Sequence, residues 1–216
     1  SPTISVPATT NTNYDVYAYD NSGTVTLELA AWSTDTARTT NLTTQDGVYV
    51  KSGATTRRYL GTVRTGSSSG FVPDTEAQRY CWNYYNRLPR PMKVVSTSNW
   101  TYTTATYRQA NATATNQLDC VIGVSEEPVE ITLATTAANT SAGVAVRIGI
   151  GLGSTTASSA TMTPSATTQL ANTPTPINAY YRGWPGAGRR YFPWLEFSTA
   201  SGTTASSCST PSRRTR

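Results

Sequence analysis

YDVYAYDNSGTVTLELA, residues 14–30, is the stretch that decides the fold class. Apolar or aromatic residues alternate with polar ones on both sides of the tripeptide Asn21-Ser22-Gly23. Alternation with a period of two is typical of a half-buried β-strand, and a short polar loop ending in glycine is typical of a tight hairpin. The sequence therefore predicts two antiparallel strands joined by a loop in which Gly23 is left-handed.

Similar short segments follow along the rest of the chain. They are rich in threonine, valine and tyrosine, whose β-branched or aromatic side chains suit a pleated, half-buried surface. The predicted strands are residues 47–51, 58–64, 100–109, 117–124, 129–134, 144–150 and 180–197. Strands do not alternate with helices, so the pattern favours an all-β fold, an antiparallel β-sandwich or jelly-roll-like domain, over a parallel α/β sheet.

Changes in composition define the predicted domain boundaries. Residues 1–13 are rich in proline and threonine without periodicity, which indicates an extended N-terminal arm that packs on something else. Residues 14–204 form the predicted sandwich domain, and the Ser/Thr/Ala-rich segment 154–175 within it is expected to be a long exposed loop. Residues 205–216 end in a short arginine cluster and are expected to form a flexible basic tail.

One segment, residues 75–86, has the spacing of a short α-helix. Asp74 can cap it, Glu76 places negative charge in its first turn, and Pro89 follows its end. Its aromatic side chains have two interpretations, a packed helix face under the sheet, which is the commoner arrangement, or a platform that stacks on carbohydrate or bases. These side chains are Tyr80, Trp82, Tyr84 and Tyr85.

The chain contains no histidine, which removes the usual acid-base group near neutral pH and the commonest transition-metal ligand. A pair of carboxylates, as in glycosidases, remains open, but the tight group Glu126, Glu127 and Glu130 reads better as a charged turn. A D-N-x-G turn at Asp20 is likewise interpreted as turn chemistry and not as a calcium site. We therefore predict that the protein is not an enzyme and has no catalytic residue, cofactor or metal site.

The formal net charge of +5 comes almost entirely from arginine. The arginines are spread along the chain, a distribution that favours planar pairing at protein interfaces over a continuous nucleic-acid track. Arginines that flank aromatic residues can stack on rings and clamp carboxylates or carbonyls across a subunit boundary. The candidate interface or binding residues are Arg57, Arg58, Tyr59, Trp184, Arg189, Arg190 and Tyr191.

The three cysteines, Cys81, Cys120 and Cys208, lack metal-ligand spacing and are predicted to be reduced thiols, with a Cys81–Cys120 disulfide as the open alternative. No apolar run has the length of a membrane span, so no membrane partner is expected.

Several segments together resemble a family of virion proteins of tailed bacteriophages, often found as the terminal domain of tail-fibre or appendage proteins. The resemblance covers about residues 14–204 and departs from the family at 206–212, which lack the expected aromatic, glycine-rich strand. The family has no assigned activity to carry over to single residues. The segments are YDVYAYDNSGT (14–24), QDGVYVKSG (45–53), RRYLGT (57–62), RYCWNYYNR (79–87) and AGRRY (187–191).

The resemblance implies a structural protein located in the virion, exposed either as a capsid decoration or cement subunit or as a tail-fibre knob. Its expected partners are copies of itself, as a homotrimer, and other capsid or tail proteins. An open alternative is a host-attachment adhesin that recognises a surface glycan, with a carboxylate-based glycan depolymerase as a lesser alternative. Nucleic acid is not an expected partner.

Overall fold

The computed structural model describes residues 1–161, 165–168 and 170–207. The chain divides into two compact units. The first unit consists of Ser1–Leu88, Asp119–Glu126 and Gly186–Arg190, and the second of Pro89–Leu118, Glu127–Pro185 and Tyr191–Arg216.

The described residues are almost entirely β-structure. The strands are β1 (Asn13–Asn21), β2 (Thr24–Ala31), β3 (Leu42–Gln45), β4 (Val48–Lys51), β5 (Ala54–Arg64), β6 (Gln78–Arg79), β7 (Cys81–Asn83), β8 (Trp100–Tyr102), β9 (Arg108–Gln109), β10 (Gln117–Ile122), β11 (Val129–Asn139), β12 (Val144–Ile150), β13 (Ser165–Thr168), β14 (Thr175–Gly183), β15 (Gly188–Ser198) and β16 (Thr204–Ser207). One 3₁₀ turn, Ala110–Ala112, is the only helical segment among them. The predicted all-β sandwich class is confirmed.

The predicted N-terminal hairpin is confirmed. β1 and β2 pair in antiparallel register from Tyr14 opposite Ala31 to Asn21 opposite Thr24. Ser22 and Gly23 form the two-residue loop with φ values of 53° and 88°, the left-handed conformation that the twist of a hairpin requires. The Asp20 carboxylate accepts a hydrogen bond from the Gly23 N–H at 2.7 Å, so it serves the turn, as predicted.

The hairpin lies at one end of the main sheet of the first unit. The strand order is β2-β1-β5-β4-β3, and β7 also pairs with β5. All of these pairs are antiparallel, whereas β6 pairs in parallel with the Asp119–Cys120 part of β10. The predicted strands at 47–51 and 58–64 are thus present as β4 and β5, with Ser52-Gly53 as their turn.

The predicted α-helix over residues 75–86 is wrong. This segment contains β6 and β7, and β7 pairs with β5 through Trp82 opposite Thr62. Exposure alternates along it, since Tyr80 is buried, Trp82 and Tyr84 are half-buried, and the residues between them are exposed. The sequence contained this period of two as well as the three- and four-residue spacing of a helix. The strand formed because β5 provides backbone hydrogen-bond partners for it.

Two sheets build the second unit. One has the order β14-β11-β16-β8, and in the other β13 and β15 flank β12, with β9 added to β15. β12 lies against β11 and β14, so the apolar faces of the two sheets enclose a common core, as in a sandwich. The buried aliphatic side chains of this core include those of Leu118, Ile131, Leu133, Val146, Ile148, Ile150, Ile177 and Leu195.

Several predicted boundaries change. The region 100–109 forms two short strands, β8 and β9, and not one. The expected loop 154–175 contains β13, which pairs with β12, and reaches the start of β14; its residues 162–164 and 169 lie outside the described residues. The expected tail begins inside β16, which pairs with β11 and β8, and residues 208–216, including Cys208, lie outside the described residues.

The N-terminal segment joins the first unit at Asn11 and Thr12, whose N–H groups donate to Gly66 and Thr65. Residues 1–10 are almost all exposed and form no strand. Cys81 is exposed and Cys120 is buried. Among the residues that the structure describes, no helix is long and apolar enough to cross a membrane.

Candidate binding surface

Arg57, Arg58 and Tyr59 are consecutive in β5 but take different partners. Arg57 pairs with the Glu28 carboxylate at 2.8 Å and lies 4.4 Å from the centre of the Tyr19 ring. Tyr59 is completely buried, and burial is the main reason that its pKa is raised. Arg58 is exposed. Of the three, only Arg58 points an accessible cationic group outward.

Glu28 is bound from two sides, by Lys51 and by Arg57. Burial alone would raise the pKa of its carboxyl group, but the hydrogen bonds and positive charges of the two cations outweigh burial and lower it. The group is therefore held in its charged form.

Asp15 is the centre of a buried polar cluster in the first unit. Its carboxylate accepts from Arg38 Nε at 2.6 Å and from Thr62 Oγ1 at 2.7 Å. The Arg38 guanidinium also donates to the Gly123 carbonyl at 2.7 Å and stacks over the Trp32 ring at 4.3 Å. The buried charge is thus paired, hydrogen-bonded and covered by an aromatic ring.

Arg189 is the clamp of a second such cluster. Its Nη2 donates to Asp119 at 2.6 Å, and its Nη1 lies 3.4 Å from Asp35, which also accepts from Arg64 at 2.7 Å. Burial would lower the pKa of Arg189, but Asp119 overcomes this and raises it. Arg189 therefore clamps carboxylates of its own chain.

The remaining predicted residues lie near the turn between β14 and β15. Arg190 donates to the carbonyls of Gly186 and Ala187, at 3.3 and 2.9 Å. In the second unit, Tyr191 donates to the Gly153 carbonyl at 2.7 Å, and Trp184 is 64% exposed. Only Trp184 of this group presents a large apolar surface to solvent.

Glu196 is the buried carboxylate of the second unit. It accepts from the Trp100 indole, from Arg108 Nε at 2.8 Å and from the Asn111 backbone N–H at 3.0 Å. Burial dominates these contacts and raises the pKa of Glu196. Glu196 is only 3% exposed, so solvent scarcely reaches it.

β4, β7 and the residues that follow β7 together form an aromatic patch, defined here as Tyr49, Trp82, Tyr84 and Tyr85. Tyr84 is at its centre, with ring centroids 5.4 Å from Tyr49, 6.0 Å from Trp82 and 5.0 Å from Tyr85. The Tyr84 and Tyr85 rings are perpendicular, an arrangement that aromatic quadrupoles favour. Tyr84 is half-buried, whereas Tyr85 is 48% exposed.

Two arginines border the aromatic patch. Arg87 lies 4.4 Å over the Tyr84 ring and pairs with Glu126, which also accepts from the Tyr49 hydroxyl at 3.0 Å. The hydrogen bond to Glu126 is the main reason that the pKa of Tyr49 is raised. Arg58 donates from Nε to the Tyr85 hydroxyl at 2.8 Å, and its Cζ lies 4.8 Å from the ring centre.

The chain fixes the position of Tyr85 by local hydrogen bonds. The Tyr84 N–H donates to the Leu60 carbonyl at 2.9 Å, which extends the pairing of β7 with β5 by one residue. The Asn83 side-chain oxygen then accepts from the N–H groups of Tyr85 and Asn86, at 2.9 and 3.2 Å. This Asx turn ends the strand and directs Tyr85 outward.

Three aromatic residues that the sequence singled out, Trp82, Tyr84 and Tyr85, belong to the patch, and the fourth, Tyr80, is buried apart from it. Tyr49 was missed, because its place beside Tyr84 depends on the pairing of β4 with β5. The alternation of Tyr80, Trp82 and Tyr84 was the signal that could have found the patch. Such a surface can bind by stacking and by charge. Within the described residues, no group of three or more His, Cys, Asp or Glu side chains could hold a metal ion.

Comparisons with known proteins give two kinds of result. No protein-family model matches the sequence, and no curated protein matches it. Among solved structures, the chain is similar to the VP2 subviral particle of infectious bursal disease virus, at 12% identity and a TM-score of 0.38, with 98% of this chain and 54% of that chain covered. The structure of the Gx strain of the same virus gives 14% identity and a TM-score of 0.38, with 95% and 52% covered.

The chain spans about half the length of these viral chains. Because both TM-scores are below 0.5, this likeness supports neither a family membership nor a function.

Proposed function

We propose that the chain is a non-enzymatic structural protein of a virus particle, specifically of a tailed phage, exposed on the virion as a capsid decoration or cement subunit or as a fibre knob. It acts by protein–protein contacts, with copies of itself as a homotrimer and with other virion proteins. The observation that carries the proposal is that its buried carboxylates, Asp15, Asp119 and Glu196, are each bound by an arginine of the same chain.

These carboxylates are suited to holding the fold together and not to reacting. A general acid or nucleophile must reach its substrate, but Asp15, Asp119 and Glu196 are only 1%, 2% and 3% exposed. An arginine clamp also fixes the geometry of a carboxylate. We expect no release of reducing ends from capsular polysaccharide incubated with the protein, and measurable release would contradict the non-enzymatic part of the proposal.

The contacts that we assign to assembly are those of residues 1–10 and of β2. Ile4 and Val6 are 38% and 40% exposed, and the edge strand β2 carries Val25, which is 59% exposed. In the described part of the chain, β2 pairs with β1 alone, so its outer backbone groups can accept a further strand. An extended arm from a second copy or another virion protein can supply that strand by β-augmentation.

The test is deletion of residues 1–10, which leaves the hydrogen bonds of Asn11 and Thr12 in place. We expect the truncated protein to lose its oligomeric mass in light scattering and its incorporation into particles, followed by immunogold labelling in electron micrographs. The double substitution Ile4→Ser and Val6→Ser keeps the backbone but removes the apolar contacts, and an intermediate loss is expected. Unchanged mass and unchanged incorporation in both variants would contradict the assignment of assembly to this arm.

A receptor-binding adhesin is the second candidate, because Trp184 presents a large ring to solvent in the turn between β14 and β15. Exposed indole rings stack on the apolar faces of sugars. Glycan-array binding that is abolished by Trp184→Ala, with particle incorporation intact, would support this role at that turn.

Nucleic-acid binding is not proposed. Arg38, Arg64 and Arg189 are each paired with a carboxylate of the same unit, so they are not available to line a phosphate track.

A further inference from the structure

Two arginines, Arg58 in the first unit and Arg147 in the second, combine exposure with a stacked aromatic ring and with no paired carboxylate in the described part of the chain. Arg147 lies 5.0 Å from the centre of the Phe197 ring. Arg58 differs in that its Nε is also hydrogen-bonded to the ring it lies against, through the Tyr85 hydroxyl at 2.8 Å. The Arg58 guanidinium is therefore held in one place, whereas that of Arg147 is only stacked.

Arg58 covers only part of the Tyr85 side chain. Its Nε contacts the hydroxyl, and its Cζ lies over the ring, 4.8 Å from the ring centre. The Tyr85 side chain keeps a large exposed area, with the residue 48% exposed. The Asx turn at Asn83 positions the backbone of Tyr85, and its ring packs perpendicular to that of Tyr84.

Exposed amide groups lie beside this pair. Asn83 and Asn86 are both exposed, and the Asn83 side-chain oxygen is already used by the turn, which leaves the NH₂ group of Asn83 to donate outward. A fixed guanidinium, an open aromatic ring and amide donors together form a small polar site around one flat apolar surface.

We propose that Arg58 and Tyr85 form a binding site for an acidic sugar residue of a surface glycan. The pyranose ring stacks on Tyr85, and its carboxylate binds the planar guanidinium fork of Arg58, a geometry that arginine provides and lysine does not. The carboxylate of a uronic or sialic acid is attached directly to the sugar ring, so one monosaccharide can reach both groups. A carboxylate on a protein side chain would bind the Arg58 guanidinium but would make no use of the exposed Tyr85 ring or of the flanking asparagine amides. This site goes beyond the structural role, and it does not depend on a location in the virion.

The ligand chemistry can be tested by isothermal titration calorimetry with trigalacturonic acid and with sialyllactose. Their neutral counterparts, the methyl esters of trigalacturonic acid and of sialyllactose, keep the ring but lack the charge. We expect at least one acidic probe to bind, and its neutral counterpart to bind at least about tenfold more weakly, the loss that removal of one charge-assisted hydrogen bond causes.

The site can be tested with Arg58→Gln, Arg58→Lys and Tyr85→Ala, with Arg147→Gln as the matched control because it removes the same charge from the other exposed, ring-stacked arginine. We expect each of the first three variants to weaken the acidic probe by about tenfold or more and Arg147→Gln to leave the affinity unchanged. Circular dichroism checks that every variant is folded.

The inference would be overturned by the absence of binding to both acidic probes or by equal binding of the neutral counterparts. Equal weakening by Arg58→Gln and Arg147→Gln would indicate a nonspecific charge effect and would overturn it as well. Loss of particle incorporation in Arg58→Gln without any binding of the sugars would assign Arg58 to a protein partner and would also overturn it. The arm deletion described above tests the structural role separately.

Discussion

The two units build β-structure around different interiors. In the first, the centre of the sheet contains a buried carboxylate and two buried tyrosines, Asp15, Tyr17 and Tyr59, with Arg38 and Trp32 against them. In the second, β11 buries alternate residues along its whole length, among them Ile131 and Leu133, and Glu196 is the centre of one buried polar cluster. The first interior has directed polar contacts at the centre of its sheet, and the second relies mainly on close packing of aliphatic side chains.

The difference shows how a chain with few charged residues uses them. A buried ion pair costs desolvation energy, and it is tolerated where hydrogen bonds satisfy both partners, as at Asp15. Such a cluster specifies which side chains meet. Removal of one member should lower the free energy of unfolding by a large amount, because it leaves a buried polar group without its partner. In an aliphatic core, the loss in the free energy of unfolding increases with the side-chain volume that is removed. The stability losses that substitutions cause should therefore differ between the two units in size and in pH dependence.

The largest effect is expected from Asp15→Asn. Loss of the negative charge leaves the Arg38 guanidinium, whose side chain is 13% exposed, without its partner, which should lower the free energy of unfolding by about 3–5 kcal/mol. Urea unfolding followed by tryptophan fluorescence measures this. Asp20→Asn removes the same charge at an exposed turn and should change stability by less than about 0.5 kcal/mol. Equal effects of the two substitutions would show that the buried ion pair contributes no more to stability than an exposed charge does.

A slightly smaller effect is expected from Leu133→Ala in the second unit. Leu133 is 1% exposed and already borders a small cavity of about 20 Å³, which the substitution would enlarge. The expected loss is about 2–5 kcal/mol by the same unfolding measurement. Val25→Ala, at a position 59% exposed, is the control and should be nearly neutral. A neutral Leu133→Ala would mean that the core relaxes to fill the space.

The contributions of Glu28 and Glu196 to stability should depend on pH with opposite signs. The pKa of Glu28 is lowered in the folded state from its ordinary 4.5, so its contribution is present above that pH and is lost as the pH falls through the lowered value. The pKa of Glu196 is raised above 4.5, so its contribution is present below that pH and is lost as the pH rises through the raised value.

Thermal unfolding midpoints of Glu28→Gln and Glu196→Gln, measured from acid to neutral pH, test these signs. The advantage of the unsubstituted protein over Glu28→Gln should disappear as the pH falls below 4.5. The stability of Glu196→Gln relative to the unsubstituted protein should increase as the pH rises above 4.5. Slopes of the same sign for both variants would contradict the difference between the two carboxylates.

The smallest effect on stability is expected from Arg58→Gln. Arg58 is exposed and its guanidinium contacts the likewise exposed Tyr85, so the free energy of unfolding should change by less than about 0.5 kcal/mol. Urea unfolding measures this as well. A loss as large as that of Asp15→Asn would show that Arg58 belongs to the structural clusters of the first unit and not to its binding surface.

The parts of the fold that were predictable from the sequence are those with local causes. The hairpin at Ser22-Gly23 follows from a turn that needs positive φ values, and β12 follows from an apolar run in which Arg147 is the one charged residue. Segment 75–86 had two competing local patterns, and its strands formed because β5 and β10 offered backbone partners that a lone segment does not have. The aromatic patch could be predicted only in part, because three of its members are close in sequence and Tyr49 comes from β4.

The sequence by itself determined that the chain is a β-protein with tight glycine turns, without histidine and with arginine as its main cation, because backbone conformation and composition are properties of single residues and their neighbours. The tertiary structure decided which arginines are used internally and which one faces solvent beside a tyrosine. Arg57, Arg58 and Arg189 look alike in the sequence, but Glu28 lies across from the first and Asp119 binds the third. Charge pairing depends on strands distant in the chain, so only the assembled sheets distinguish a structural arginine from a binding one.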